Sequence, residues 1–241
     1  MTAWYRLGEG ALGIDSDDEP LAARFETIYG GCRVDAPGKG AQVTCQVRVD
    51  SAQRVVVHFD DPEPLDEARF IEQLFPDRGY TVTANGRGAS VRLPDSVHEL
   101  ELVEGAVRAP LESEWRPLVA NLAISRLMRL QRDVVFFHAA SVRVGTRGLL
   151  ACGPKRSGKT TLALGLAARG HHLLGDETAA VRLSDHALLP FRRSLAARAG
   201  PSSAAAAALL AGVGGVAERF PDGETRTRLP ADAVSAPSDI G

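Results

Sequence analysis

Gly153-Pro154-Lys155-Arg156-Ser157-Gly158-Lys159-Thr160 reads as a glycine, four residues, a second glycine, a lysine and a threonine. That spacing suits a loop that wraps an anion with inward-pointing backbone N–H groups. Gly153 and Gly158 relieve the steric limits on so tight a turn. A helix that starts at the second glycine adds its free amides and the positive end of its dipole. Lys159 can then reach the β and γ phosphates of a nucleotide, Thr160 can ligate Mg²⁺, and Thr161 can add a phosphate contact. An ordinary glycine-rich turn with an exposed lysine is the plain alternative. The flanks favour the phosphate reading, with apolar Leu149-Leu150-Ala151 before the loop and a helical pattern from Thr161 to Leu166 after it. A second candidate is Asp176-Glu177, directly after Leu173-Leu174-Gly175. At the end of a strand beside a phosphate loop, one carboxylate can hold Mg²⁺ and the other can take a proton from a hydroxyl or water.

These residues need strands and a helix to bring them together. Gly148–Cys152 is expected to lead into the loop, with a helix from about Gly158 to Ala168 and Gly170 as its stop. Val134–Val144, containing His138, predicts one continuous apolar strand. His171–Gly175 predicts a buried parallel strand, and Ala179–Leu183 with His186–Leu189 a hairpin around Ser184-Asp185. This strand–loop–helix–strand order predicts an α/β nucleotide-binding core. The first half predicts a β-rich region. Val43–Val49 alternates apolar and polar residues and pairs in a hairpin with Arg54–Phe59. Tyr80–Ala84 and Ser90–Leu93 flank Asn85-Gly86, a tight-turn signal. Asp66–Phe75 predicts a short helix. Glu114–Leu130 predicts a longer one, capped by Ser113, with Pro117 in its first turn and Arg116, Arg126 and Arg129 on its surface. Ser202–Gly215 is low in complexity, with an alanine run that predicts a helix start. Pro221 onward predicts turns, weak strand or tail.

The 241 residues carry 28 basic and 30 acidic side chains and are 44% hydrophobic, an ordinary globular balance with no excess charge for nucleic acid or an anionic membrane. Lysine occurs only at Lys39, Lys155 and Lys159, so two of the three lie in the loop. The apolar stretch Ala204–Ala217 is shorter than the roughly 18 residues a membrane span needs. Cys32, Cys45 and Cys152 are too few for a disulfide framework, and Cys152 is expected as a small buried packing residue. No signal-peptide run opens the chain, and a cytoplasmic location is expected.

Phe137-His138-Ala139-Ala140-Ser141, the phosphate loop, and Ala167-Ala168-Arg169-Gly170-His171-His172-Leu173-Leu174-Gly175-Asp176-Glu177 together resemble the catalytic domain of HPr kinase/phosphorylase and its HPr-kinase-like relatives. The resemblance covers about Val134 to Leu189. It implies ATP-dependent, Mg²⁺-dependent phosphorylation of a serine hydroxyl on a protein or peptide. By position it implies that Asp176 and Glu177 are the acidic pair, that His138 interacts with them, and that Lys159 gathers phosphate charge. The residue patterns themselves give residues 1–132 as a β-rich N-terminal region with a connecting helix. Residues 133–241 become an HPr-kinase-like phosphate-loop kinase core, α/β in class and α+β over the whole chain. The family is often hexameric, so a homo-oligomer is also expected.

Two features depart from the family. Its second acid is aspartate where this chain has Glu177, and its Glu-x-Arg-Gly segment is matched only by Ala196-Ala197-Arg198-Ala199-Gly200. Pro190-Phe191-Arg192-Arg193 resembles a Pro-Phe-Arg segment of relatives outside sugar control. Arg192, Arg193 and Arg198 are candidates for phosphate or acidic-substrate contacts, with a solvated basic face as the alternative. The chain ends at Ile240-Gly241 where that fold would supply one more strand pair, so a shortened C-terminus is expected. A competing reading is a phosphate-loop ATPase or nucleotide-sensing module in which the acids position water. A third is a binding-only descendant, and a small-molecule kinase stays open because phosphate loops do not specify acceptors.

Overall fold

The computed structural model describes residues 1–60, 81–85, 88–92, 97–103, 106–198, 208, 213–219 and 224–235. The expected helix at Asp66–Phe75, the Gly86 turn position and nearly all of Ser202–Val213 lie outside them. The chain forms two compact units. One comprises Met1–Trp4, Gly10–Arg24 and Val34–Gln131, the other Tyr5–Glu9, Phe25–Arg33 and Arg132–Gly241.

A mixed nine-stranded sheet dominates the first half. It contains β1 (Ala3–Leu7), β2 (Gly10–Ser16), β3 (Arg33–Val34), β4 (Gln42–Val49), β5 (Arg54–Asp60), β6 (Thr81–Asn85), β7 (Gly88–Arg92), β8 (Glu99–Val103) and β9 (Ala106–Pro110), in the order β3-β1-β2-β4-β5-β9-β8-β7-β6. The hairpins β4–β5 and β6–β7 pair antiparallel, as the alternating patterns require. β2 and β4 run parallel, a pairing that needs the crossover through helix α1 (Glu19–Tyr29). Helix α2 (Trp115–Leu130) packs on β2 and β4 and buries Trp115, Leu118, Leu122 and Leu127. Ser113 does not cap it. Its hydroxyl donates to the Pro110 carbonyl at 2.7 Å instead. Arg126, expected on the surface, is buried and stacks over the Phe59 ring at 4.6 Å.

Among the described residues, the second unit holds three small antiparallel sheets. Their strands are β10 (Val134–Phe137), β11 (Ala139–Val144), β12 (Arg147–Cys152), β13 (His172–Gly175), β14 (Ala179–Arg182), β15 (Leu188–Leu189), β16 (Leu195–Arg198), β17 (Val216–Arg219) and β18 (Thr225–Leu229). The sheet orders are β10-β14-β15, β12-β11-β13 and β16-β18-β17. Among its described residues after Arg132, the helices include α3 (Lys159–Ala167) and the short α4 (Ala231–Val234). The β14–β15 hairpin forms as expected. Val134–Val144 does not form one strand: it breaks at His138, and its halves join different sheets. The stretch from Pro221, expected as turns, weak strand or tail, contributes strand β18 and the short helix α4.

The α/β phosphate-loop core is therefore corrected. The chain is rich in strands and built around a large mixed sheet, and the strand before the loop is not part of a parallel βαβ array. A two-residue turn with Gly145 at φ +59° folds β12 back antiparallel on β11, and β13 joins the other edge of β11, also antiparallel. Strand–loop–helix–strand order is satisfied along the chain, but a third strand lies between the two that the order made neighbours. Ala140, Val142, Ala163, Leu164, Leu173, Leu195 and Leu229 form the core under this sheet and α3. Among the described residues, no helix is long and apolar enough to cross a membrane.

Candidate functional site

Because β12 and β13 both oppose β11, they point the same way, so both end at one sheet edge. Gly153 follows β12 and Asp176 follows β13. His138 precedes β11, whose first residue, Ala139, is the register partner of Cys152. The sheet thus gathers three segments spread over about forty residues at that edge.

The loop closes through Ser157 N–H donating to the Pro154 carbonyl at 3.2 Å, and α3 begins with Leu162 N–H on Gly158 O at 2.9 Å. Gly158 sits at φ +90° and Arg156 at φ +72°. Lys159 Nζ donates to the carbonyls of Gly153 at 2.9 Å and Pro154 at 3.0 Å. The ammonium therefore spans the loop's own mouth. Pro154, Lys155, Arg156 and Ser157 are exposed, while Thr160 and Thr161 are half-buried. Cys152, expected inside, is exposed at the end of β12.

Thr160 Oγ1 donates to Asp176 Oδ2 at 3.0 Å and lies 3.2 Å from Oδ1. Asp176 is buried. Its burial, with the charge of Glu177 adding to it, pushes the carboxyl up to about 6, against the opposing pull of the Thr160 hydroxyl and Arg193. A hydroxyl and a carboxylate at that spacing are two protein oxygens that Mg²⁺ accepts alongside waters and phosphate oxygens. Among the described residues no group of three or more His, Cys, Asp or Glu side chains could hold a metal ion.

Glu177 turns outward at φ +62°, an unusual backbone for a residue with a side chain. Arg193 Nη1 lies 3.4 Å from its carboxylate, and the Arg193 guanidinium stands 5.8 Å from the centre of the Tyr29 ring. Phe191 N–H bonds the Leu174 carbonyl at 2.7 Å, and Phe191 bridges in parallel to Gly175. That bridge carries the Pro190–Arg193 segment alongside the acidic strand and delivers Arg193 to it.

The site gathers the loop, Lys159, Thr160, Asp176, Glu177, His138 and Arg193. His138 touches the pair differently from the expectation: its Nδ1 meets the backbone carbonyl of Glu177 at 3.1 Å and neither carboxylate is its partner. Arg192 turns away and is buried. It donates to the carbonyls of Leu173 at 3.0 Å and Ala231 at 3.2 Å and to Asp232 at 2.9 Å, so it ties β13 to α4. Arg198 reaches Glu224, which also holds Arg156 of the loop. Glu224 and Tyr29 were invisible in the sequence. Neither lies within a motif, and only the Thr-Arg-Thr-Arg-Leu alternation just after Glu224 hints at a strand there. No family model, curated protein or solved structure matches the chain.

Proposed function

We propose that this protein is an ATP-dependent phosphotransferase, similar in its chemistry to HPr-kinase-like enzymes, that transfers phosphate to a protein or peptide hydroxyl. The observation that carries the reading is the 3.0 Å contact between Thr160 and buried Asp176 beside Lys159. An isolated glycine-rich turn has no need to bring a buried carboxylate onto its helix-start threonine. The loop amides and Lys159 would hold the β and γ phosphates, with Lys159 leaving the Gly153 and Pro154 carbonyls to do so. Thr160 and Asp176 would hold Mg²⁺, which when bound supplies charge neutralisation between the phosphates. Glu177, exposed and next to Arg193, would take the proton as the acceptor oxygen bonds to the γ phosphorus and the bond to ADP breaks. Arg193, 3.4 Å away, would orient that carboxylate. A cytoplasmic location, with ATP and Mg²⁺ at hand, belongs to the same reading.

The test is incubation with γ-labelled ATP and Mg²⁺ and the proteins and peptides encoded beside it, with Lys159→Ala and Asp176→Asn in parallel. Label should appear on a serine and fall by about 100-fold or more in both variants. Free labelled phosphate with no labelled acceptor would replace the kinase with an ATPase or nucleotide-sensing module. Binding without turnover would leave a nucleotide-holding protein.

A further inference from the structure

We propose that Glu224 is an internal anion filling an oxyanion site built by Arg156, Arg198 and Arg226, and that a terminal phosphate group displaces it. The proposal rests on the nucleotide reading above. Three guanidinium groups from distant parts of the chain meet one carboxylate. Arg156 Nη2 donates to Oε1 at 2.9 Å, Arg198 Nε to Oε2 at 2.5 Å and Arg226 Nη2 to Oε2 at 3.3 Å. Arg198 and Arg226 are register partners on β16 and β18. Like charges directly opposite in a sheet repel, so this pair calls for an anion between its members whatever the ligand state. Their side chains are largely covered, at 29% and 10% exposure. The third member belongs to the phosphate loop itself. Arg156 is held at φ +72°, two residues before Gly158 and three before Lys159.

The chemistry favours exchange. A carboxylate offers two oxygens and one negative charge. A terminal phosphate offers three oxygens and more charge, which three planar forks bind better. Glu224 immediately precedes β18, so its side chain can leave without breaking that strand's ladder. It is also the partner of Arg156, whose guanidinium is two-thirds exposed and free to follow an incoming phosphate.

The phosphate can come from the nucleotide or from a phosphorylated acceptor, and calorimetric titration separates the two. A β,γ-imido ATP analogue with Mg²⁺, ADP with Mg²⁺, and inorganic phosphate with and without ADP are titrated into wild type, Glu224→Gln, Arg198→Ala and Lys159→Ala. Arg198→Lys serves as the second variant if Arg198→Ala does not fold. Glu224→Gln should tighten the analogue at least fivefold and leave ADP within twofold, and Arg198→Ala should weaken the analogue about tenfold. Tightening of inorganic phosphate alone also supports the site and assigns it to the acceptor. Analogue and phosphate both within twofold of wild type in Glu224→Gln overturn the proposal. If Lys159→Ala then abolishes analogue binding, the nucleotide reading stands without it. If Lys159→Ala leaves analogue binding unchanged, the nucleotide reading falls and the proposal falls with it.

Discussion

Asp176 couples the candidate site to pH. Its carboxyl is pushed up from 3.8 to about 6, with burial as the main cause. A raised acid favours the folded state while protonated, so its contribution is full below about pH 4 and is lost as pH rises through about 6. Above that, the buried charge costs the ligand-free protein up to about 3 kcal/mol, two pH units at about 1.4 kcal/mol each. Asp176→Asn is isosteric and still accepts the Thr160 hydroxyl. It should therefore raise the melting temperature of the ligand-free protein at pH 7.5, leave it nearly unchanged at pH 4, and remove Mg²⁺-dependent turnover. An equal shift at both pH values would show that the carboxylate is not strained by burial. Arg192 gives the opposite lesson. Proposed from sequence as a phosphate contact, it is a buried tie to main-chain carbonyls and Asp232. Arg192→Ala should cost about 3 kcal/mol or more in chemical denaturation, because several carbonyls lose a buried partner at once.

At the scale of the elements, two glycines hold the site in place for different reasons. Gly158 caps α3 at φ +90° with open space where a Cβ would stand, so a side chain there meets backbone strain and no neighbour. Gly175 ends β13 with an ordinary backbone, but a Cβ would come 2.5 Å from the Thr178 carbonyl oxygen and 3.2 Å from that of Phe191. Gly158→Asn should keep most nucleotide affinity while Gly158→Val loses it, because asparagine tolerates the left-handed region at a cost below the roughly 1–2 kcal/mol of other residues. Gly175→Ala, although smaller, should displace Asp176 and abolish turnover. Equal tolerance of alanine and asparagine at both positions would refute this division. The hairpin and helix boundaries here were legible in the sequence because period, glycine and proline signals are local. The break at His138 was not, since both halves of Val134–Val144 are apolar and only their different sheet partners separate them.

The whole chain carries a second pH coupling of opposite sign. In the first unit, Asp18 caps α1 through the Leu21 N–H at 2.8 Å and takes two bonds from Arg116 at 2.7 and 2.8 Å. Burial works to raise this carboxyl, but the Arg116 hydrogen bonds, the Leu21 amide and the Arg116 charge outweigh it and hold it below its usual range. A lowered acid contributes stability above about pH 4 and loses it as pH falls through its folded value. Asp18→Asn should therefore cost about 2 kcal/mol near pH 7, with the deficit shrinking toward zero in strong acid, the mirror image of Asp176→Asn. Melting curves of the two variants from pH 3 to 8 check both signs together.

The sequence by itself determined the pieces that depend on near neighbours. These are the glycine-rich turn Gly153–Thr160, the helix after it, the paired acids at a strand end, and the hairpins β4–β5 and β14–β15. Turn chemistry and hydrophobic period are set within a few residues, so one chain suffices to read them. Only the tertiary structure decided that β11 lies between β12 and β13, that Arg193 and not Arg192 faces the acids, and that Glu224 gathers Arg156, Arg198 and Arg226. Each of those outcomes turns on which distant strand completes a ladder. Adjacent arginines in an extended chain point to opposite sides, and pairing beyond the segment itself settles which side is core.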